Sequence, residues 1–300
     1  MKKKFKRIPH LRKITLPDVI IITGLFALSL VFLIPLLFSF SSAFTDENEL
    51  LRNGYNLFPA KFSLDAFRYL FGTTSKMSDS ILLSFYITIL GTALGVIVTC
   101  LMSYTLSVKD LPFKRILTFV CVVPMYFYGG LIPSYMIYSQ FGLTNTSTLL
   151  LLIQLVNPFG VIMMRNGFRS VPQTLYEAAR IDGAGEGRIF LKIAMPLVKP
   201  MIATISLMLS VTYWNDWMNP MYYTTSDKLV TLQLLIYRMM SRTTEMTANS
   251  GTAVTDSLGS IPVQSLKMAL VVVAVAPILI AYPFLQRYFV QGATLGAVKE

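Results

Sequence analysis

The sequence predicts an all-α integral membrane protein with six spans, and three observations carry that expectation. Of its 300 residues, 54% are hydrophobic and 14% charged, against roughly 45–50% and 25% in soluble domains. The apolar residues gather into uncharged runs long enough for helices to cross a bilayer, which takes about 20 residues each. The 26 Lys and Arg residues, which leave a net charge of +11, stand at the ends of those runs instead of forming one patch. That distribution argues for positive-inside asymmetry and against a nucleic-acid partner.

The elements follow in order. Residues 1–17 form a basic tail; the stretch Met1–Lys13 alone holds seven Lys or Arg residues. The next uncharged run exceeds the 7–15 residues of a signal-peptide core, so a retained first span is expected over 18–43. A mixed polar stretch separates it from a second span, 80–108, and the basic turn Lys109, Lys114, Arg115 follows. The uncharged run Ile116–Met164 is too long for one span. Its polar break at Phe141–Ser147 divides it into spans three (114–139) and four (147–166). A charged loop over 167–197 leads to span five (198–220). A Thr/Ser-rich stretch with a candidate amphipathic helix, Leu229–Met240, precedes span six (267–287). The six-span region thus covers 18–290, and a short tail, 291–300, closes the chain. With both termini inside, the inner segments hold 18 Lys and Arg residues and the outer ones 8. That is the bias the positive-inside rule requires.

Helix breakers fall within three of these spans: Pro124, Gly129, Gly130 and Pro133, then Pro158, then Pro277 and Pro283. Bent helices are tolerated in membranes where neighbours or cavity water satisfy the freed carbonyls. Cys100 and Cys121 lie in apolar runs without metal-ligand spacing and read as free buried thiols. His10 stands in the basic tail without a catalytic partner nearby in sequence. No span holds paired carboxylates, a His cluster or a Ser/His set, so an intramembrane enzyme has no support.

The loop is the most informative stretch. Ser170 and Gln173 stand in capping-box spacing around Pro172, which predicts a helix over Gln173–Ile181. Asp182-Gly183 supplies a turn, and Ala184–Ala194 is expected to resume helix until Pro196 stops it. Glu177-Ala178-Ala179, Gly183, Ile193 and Pro196 fall at the spacing E-A-A, three residues, G, nine residues, I-x-L-P. This resembles the EAA loop of permease subunits from ATP-binding-cassette importers, with Met195 standing where that family has Leu. The resemblance implies the MetI-like permease fold of binding-protein-dependent systems. It also implies that Glu177, Ala178, Ala179, Asp182, Gly183, Ile193 and Pro196 couple the chain to a cytosolic ATPase. The bland alternative is a charged loop that only solvates the chain between two spans.

Two more stretches are similar to the carbohydrate branch of these permeases. Trp214-Asn-Asp-Trp-Met-Asn-Pro220 matches that branch's W-N-D/E-W/F segment, and Gln286–Lys299 matches the tail of the maltose-type second subunit. Glu300 stands where a Gly is common. The resemblance implies a multi-pass subunit of the bacterial cytoplasmic membrane that imports an oligosaccharide or complex glycan. Its partners would be a second, non-identical permease subunit, two ATPase subunits, an extracytoplasmic sugar-binding protein and membrane lipid. The chain has no nucleotide motif of its own, so no cofactor is expected on it, and ATP and Mg belong to the partner ATPase. A permease for a non-sugar solute is the alternative.

Candidate path residues follow from the chemistry of sugars, whose hydroxyls suit amides and whose ring faces suit aromatics. Gln154 and Asn157 in span four are amides that either meet sugar hydroxyls or bridge to another span. Asp216 is an acid within span five, flanked by Asn215 and by Trp214, which either lines a path or belongs to an interfacial aromatic belt. Tyr128 stands among four tyrosines of span three.

Overall fold

Uncharged runs become helices because a backbone in hydrocarbon must satisfy its own hydrogen bonds. The computed structural model describes residues 15–59, 61–72, 76–249 and 262–297, and among them there is no strand, only an isolated bridge between Thr45 and Phe62. The chain divides into two compact units, Met1–Phe67 with Pro262–Val272 and Arg68–Ile261 with Val273–Glu300.

In the first unit, α1 (Leu16–Ala43) opens where the Asp18 carboxylate accepts from the Thr15 amide and hydroxyl, with Pro17 in the first turn. Nearly its whole length is exposed, as expected of a helix whose solvent is lipid. The short α2 (Glu47–Asn53) is capped by Asp46, which also pairs with Lys61 at 3.2 Å. Glu47 reaches across 217 residues of sequence to accept from the Gln264 and Ser265 amides and the Ser265 hydroxyl at 2.8–2.9 Å. It thereby satisfies orphan donors at the start of the last described helix, Val263–Ala297. Phe44 stacks between Phe62 and Phe67.

The second unit is built around the 32-residue helix Lys76–Ser107. In chain order, Asp65–Gly72 is α3, Lys76–Ser107 is α4, Lys114–Val122 is α5, Leu131–Gln140 is α6, Ser147–Leu152 is α7 and Pro158–Ser170 is α8. Beyond the loop, α12 (Lys199–Trp214), α13 (Met218–Tyr223) and α14 (Leu232–Asn249) precede α15 (Val263–Ala297). The buried face of α4 is a seam of small residues: Ser80, Ser84, Gly91, Gly95, Thr99 and Ser103. Such residues let backbones approach closely where lipid offers no hydrophobic drive between helices. A Cβ on Gly91 would lie 2.5 Å from the Tyr213 ring of α12, and one on Gly95 would lie 3.1 Å from Leu209. The serines tie the seam to neighbours. The Ser103 hydroxyl donates to the Val161 carbonyl at 2.8 Å, and the Ser84 hydroxyl accepts from the Leu232 amide at 2.8 Å.

The helices depart from the expected spans at some of these breakers, whereas α15 runs unbroken through Pro277 and Pro283. The segment expected as span three is cut after α5 by a 3₁₀ turn, Val123–Met125, that contains Pro124, and it restarts at α6 after Gly130, whose φ is +94°. Span four is cut between α7 and α8, where the Asn157 side chain caps α8 and Pro158 takes its first position. Span five ends as continuous helix at Trp214, and α13 follows after a break. The amphipathic helix expected at Leu229–Met240 begins three residues later and continues to Asn249. Three described helices are long and apolar enough to cross a membrane alone, and a fourth arises if a bent pair counts as one span.

Candidate coupling hairpin

α8 ends at Ser170, and the extended residue Val171 leads into α9 (Gln173–Ile181). The capping box expected here does not form. The Ser170 hydroxyl bonds back to the Gly167 carbonyl inside α8, and Pro172 is the N-cap, one position before the first turn. Serine close to the end of one helix satisfies that helix's own carbonyl before it can serve the next. α9 ends as the dipeptide predicts. Gly183 takes φ +79°, its amide donates to the Arg180 carbonyl at 3.0 Å, and the Ala184 amide donates to the Ala179 carbonyl at 2.9 Å. This is a Schellman closure, with glycine where a left-handed residue is needed.

The return arm is α10 (Glu186–Ile189), a π turn (Phe190–Ala194) and α11 (Met195–Leu197). Pro196 does not stop the helix as expected. The wider π turn just before it absorbs the missing N–H and the ring's clash with the preceding carbonyl. The direction changes two residues later at Val198, where the helix axis bends by 82° into α12.

One face of the hairpin is buried. Tyr176, Ala179, Ile189, Ala194 and Val198 share a core with Cys100 of α4, Met164 and Phe168 of α8, and Ile205 and Leu209 of α12. Tyr104 of α4 sits among the Phe168, Tyr176 and Phe190 rings at 5.0–6.4 Å, and the Tyr176 hydroxyl donates to the Phe168 carbonyl at 3.3 Å. The Glu186 carboxylate closes the hairpin by accepting from Arg180 Nε and from the Tyr104 hydroxyl, both at 2.8 Å. The Arg180 hydrogen bond, aided by that of Tyr104, holds the Glu186 pKa below its ordinary value.

The opposite face is exposed. Glu177, Ala178 and Asp182 lie on it, with Ile181 86% exposed and Leu191 also open. Among the described residues Glu177 forms no ion pair. Ile193 is half-buried against the core and Pro196 exposed. Of the seven residues predicted for coupling, Ala179 and Ile193 therefore face inward, and the other five are exposed. Sequence reasoning missed Tyr104, Tyr176, Arg180 and Glu186, which hold the hairpin to α4 and to itself. The Arg180–Glu186 spacing was visible, but Tyr104 lies 82 residues from Glu186.

The candidate path residues are only partly brought together. Gln154 donates to the Asp216 carboxylate at 2.5 Å, and that carboxylate also accepts from the Asn219 amide (3.1 Å) and side chain (2.8 Å) at the start of α13. Asn157 is occupied as the cap of α8, accepting from the Gly160 amide at 3.0 Å. Trp214 is buried, with its indole N–H on the Ala274 carbonyl at 3.1 Å and its ring beside Phe85. Asn215 is exposed and bonds back to the Val211 carbonyl, and Tyr128 is 76% exposed. Trp217, also in the WNDW segment, stacks on Tyr237 at 4.3 Å.

Comparison with known proteins bears on this arrangement. Residues 91–294 match the family described as "Binding-protein-dependent transport system inner membrane component". The chain is 36% identical over 282 residues to the polygalacturonan/rhamnogalacturonan transport system permease protein YtcP of Bacillus subtilis, covering 94% of this chain and 98% of the relative. It is 28% identical to the arabinooligosaccharides transport system permease protein AraQ of Halalkalibacterium halodurans, covering 88% and 90%. Among solved structures it is similar to a chain of a bacterial ABC transporter involved in the import of the acidic polysaccharide alginate. That match has a TM-score of 0.78, 25% identity and coverage of 92% of this chain and 98% of the other. The resemblance carried by the Glu177–Pro196 motif and by the carbohydrate-branch segments points the same way. The chain belongs to the binding-protein-dependent transport system inner membrane component family and is a permease subunit of an ATP-binding-cassette importer, not an enzyme.

Proposed function

We propose that this subunit forms half of the translocation path for an oligosaccharide or complex glycan. In this reading it works with a second, non-identical permease subunit, two ATPase subunits that hold ATP and Mg, and an extracytoplasmic sugar-binding protein. It spans the cytoplasmic membrane with both termini cytosolic. The observation that carries the reading is the two-faced hairpin. One face is continuous with the core of α4, α8 and α12, and the other presents Glu177, Ala178 and Ile181 to a partner. Closure of the ATPases around ATP displaces the hairpin, which tilts the helices packed on it and opens the path outward. Hydrolysis resets it, giving alternating access by rigid-body motion.

The substrate class rests on the named relatives, whose names give polygalacturonan/rhamnogalacturonan, arabinooligosaccharides and alginate. Exposed Asn215 and Tyr128 offer an amide and a ring face to a sugar, while Gln154, Asp216, Asn157 and Trp214 are engaged in bonds within the scaffold. The test uses the assembled importer in vesicles, supplied with binding protein and offered neutral and uronate-containing oligosaccharides beside amino acids, peptides and inorganic anions. ATP hydrolysis and uptake should rise with an oligosaccharide. Stimulation confined to a non-sugar solute would replace the substrate assignment with the alternative.

A further inference from the structure

A cleft of about 880 Å³ opens between α4, α5 and α8. Its walls are mostly apolar, with Leu106, Leu117, Cys121, Met125 and Phe159 among them. The amide oxygen of Asn157, one of its few polar members, is already bonded to the Gly160 amide.

Three cations stand just beyond the lining of the cleft, on the stretches of α5 and α8 that lead toward the α4–α5 turn. Lys114 stands three residues before Leu117 on α5, and Arg165 lies within electrostatic reach of the lining residue Cys121. Arg169 follows Arg165 by one turn of α8 and interacts with both Arg165 and Lys114. Lys114 donates to the Ser107 and Val108 carbonyls at the end of α4, and Asp110 is the acid within its reach. Among the described residues neither arginine forms an ion pair, and Arg165 Nε is buried without a hydrogen-bond partner. Like charges beside apolar walls, with a buried donor unmet, are costly unless an anion completes them.

We propose that this cleft binds an anionic phospholipid, with its phosphate on Arg165, Arg169 and Lys114 and an acyl chain along Leu117, Cys121 and Phe159. The match is one of charge and shape together. A phosphodiester supplies both the missing charge and acceptor oxygens for guanidinium groups, and the hydrocarbon tail suits the walls. Basic pockets between membrane helices on the cytoplasmic side are known to take such headgroups, and the positive-inside rule puts this end of the cleft on that side.

The test is native mass spectrometry of the assembled importer taken from bilayers of phosphatidylglycerol and phosphatidylcholine. Phosphatidylglycerol should be retained preferentially. Arg165→Gln with Arg169→Gln should lower that retention about thirtyfold, at roughly 1 kcal/mol for each of the two cations removed, and leave phosphatidylcholine unchanged. Leu117→Trp, which narrows the cleft beside the cations and spares the charges, should lower it too. A photoreactive group on Leu117→Cys, with Cys100 and Cys121 replaced, should attach to lipid. Equal retention of the two lipids would overturn the proposal, as would photo-adducts carried by the second permease subunit, which would make the cleft a subunit interface.

Discussion

At Gly183 the backbone takes φ +79°, and the helical hairpin depends on that one residue. Valine there would meet the left-handed penalty of about 1–2 kcal/mol, whereas asparagine tolerates the conformation better. Gly183→Val should therefore abolish ATPase copurification and transport with the chain still inserted, and Gly183→Asn should retain most of both. Glu177→Lys reverses an exposed charge without touching the core, so it should lose ATPase binding with an unchanged melting temperature. Glu186 makes a different contribution. Its folded pKa is depressed below the ordinary 4.5 by Arg180 and then Tyr104, so its stabilisation is present above that value and fades as pH falls through the depressed one. The pair is about half exposed, which keeps the effect small. Glu186→Gln should melt slightly below the native protein at pH 7, and the difference should vanish well below pH 4.5. Gly183 was legible because only a few residues enter that turn. The Glu186 clamp was not, because sequence spacing does not show that Tyr104 lies beside it.

Among the elements, α4 shows what pattern reading catches and what it leaves out. Its uncharged run announced a span, and Pro124, Gly130 and Pro158 marked where other spans break. The seam Ser84, Gly91, Gly95, Thr99 was equally present in the sequence, yet nothing local says which helix it meets. Its partner is fixed by Tyr213, whose ring fills the space above Gly91 and whose hydroxyl donates to the Leu151 carbonyl at 2.7 Å. Overpacking such a contact costs typically 1–3 kcal/mol. Gly91→Ala should lower the melting temperature of the purified subunit, and Tyr213→Leu in the same chain should recover part of the loss. Additive losses in the double variant would show that the two residues do not share a contact. Pro196 misled for a related reason. The sequence marks the proline but not the π turn that lets the helix pass through it.

For the whole molecule, the charge count led to six spans with the hairpin inside and α2 outside. Asn53 and Ile181 are both exposed and lie on segments assigned to opposite sides. In a chain with Cys100 and Cys121 replaced, Asn53→Cys should react with an impermeant thiol reagent on intact cells. Ile181→Cys should react only after the cells are broken. The reverse pattern would invert the topology. The charge pattern could reach this far because insertion reads charge locally. It could not show how Glu47 caps the start of α15 across 217 residues, since that contact exists only once both ends of the chain are in place.

The 82° bend at Val198 makes the return arm of the hairpin a crank. Residues Glu186–Leu197 form a lever of roughly 18 Å at 1.5 Å per residue, set nearly square to α12. On an arm of that length a tip displacement of about 3 Å turns the shaft by roughly 10°. The shaft does not turn alone, because Tyr213 and Leu209 press into the glycine notches of α4. In the proposed coupling, torque applied to the hairpin therefore reaches two helices at once, as through a keyed joint that cannot slip.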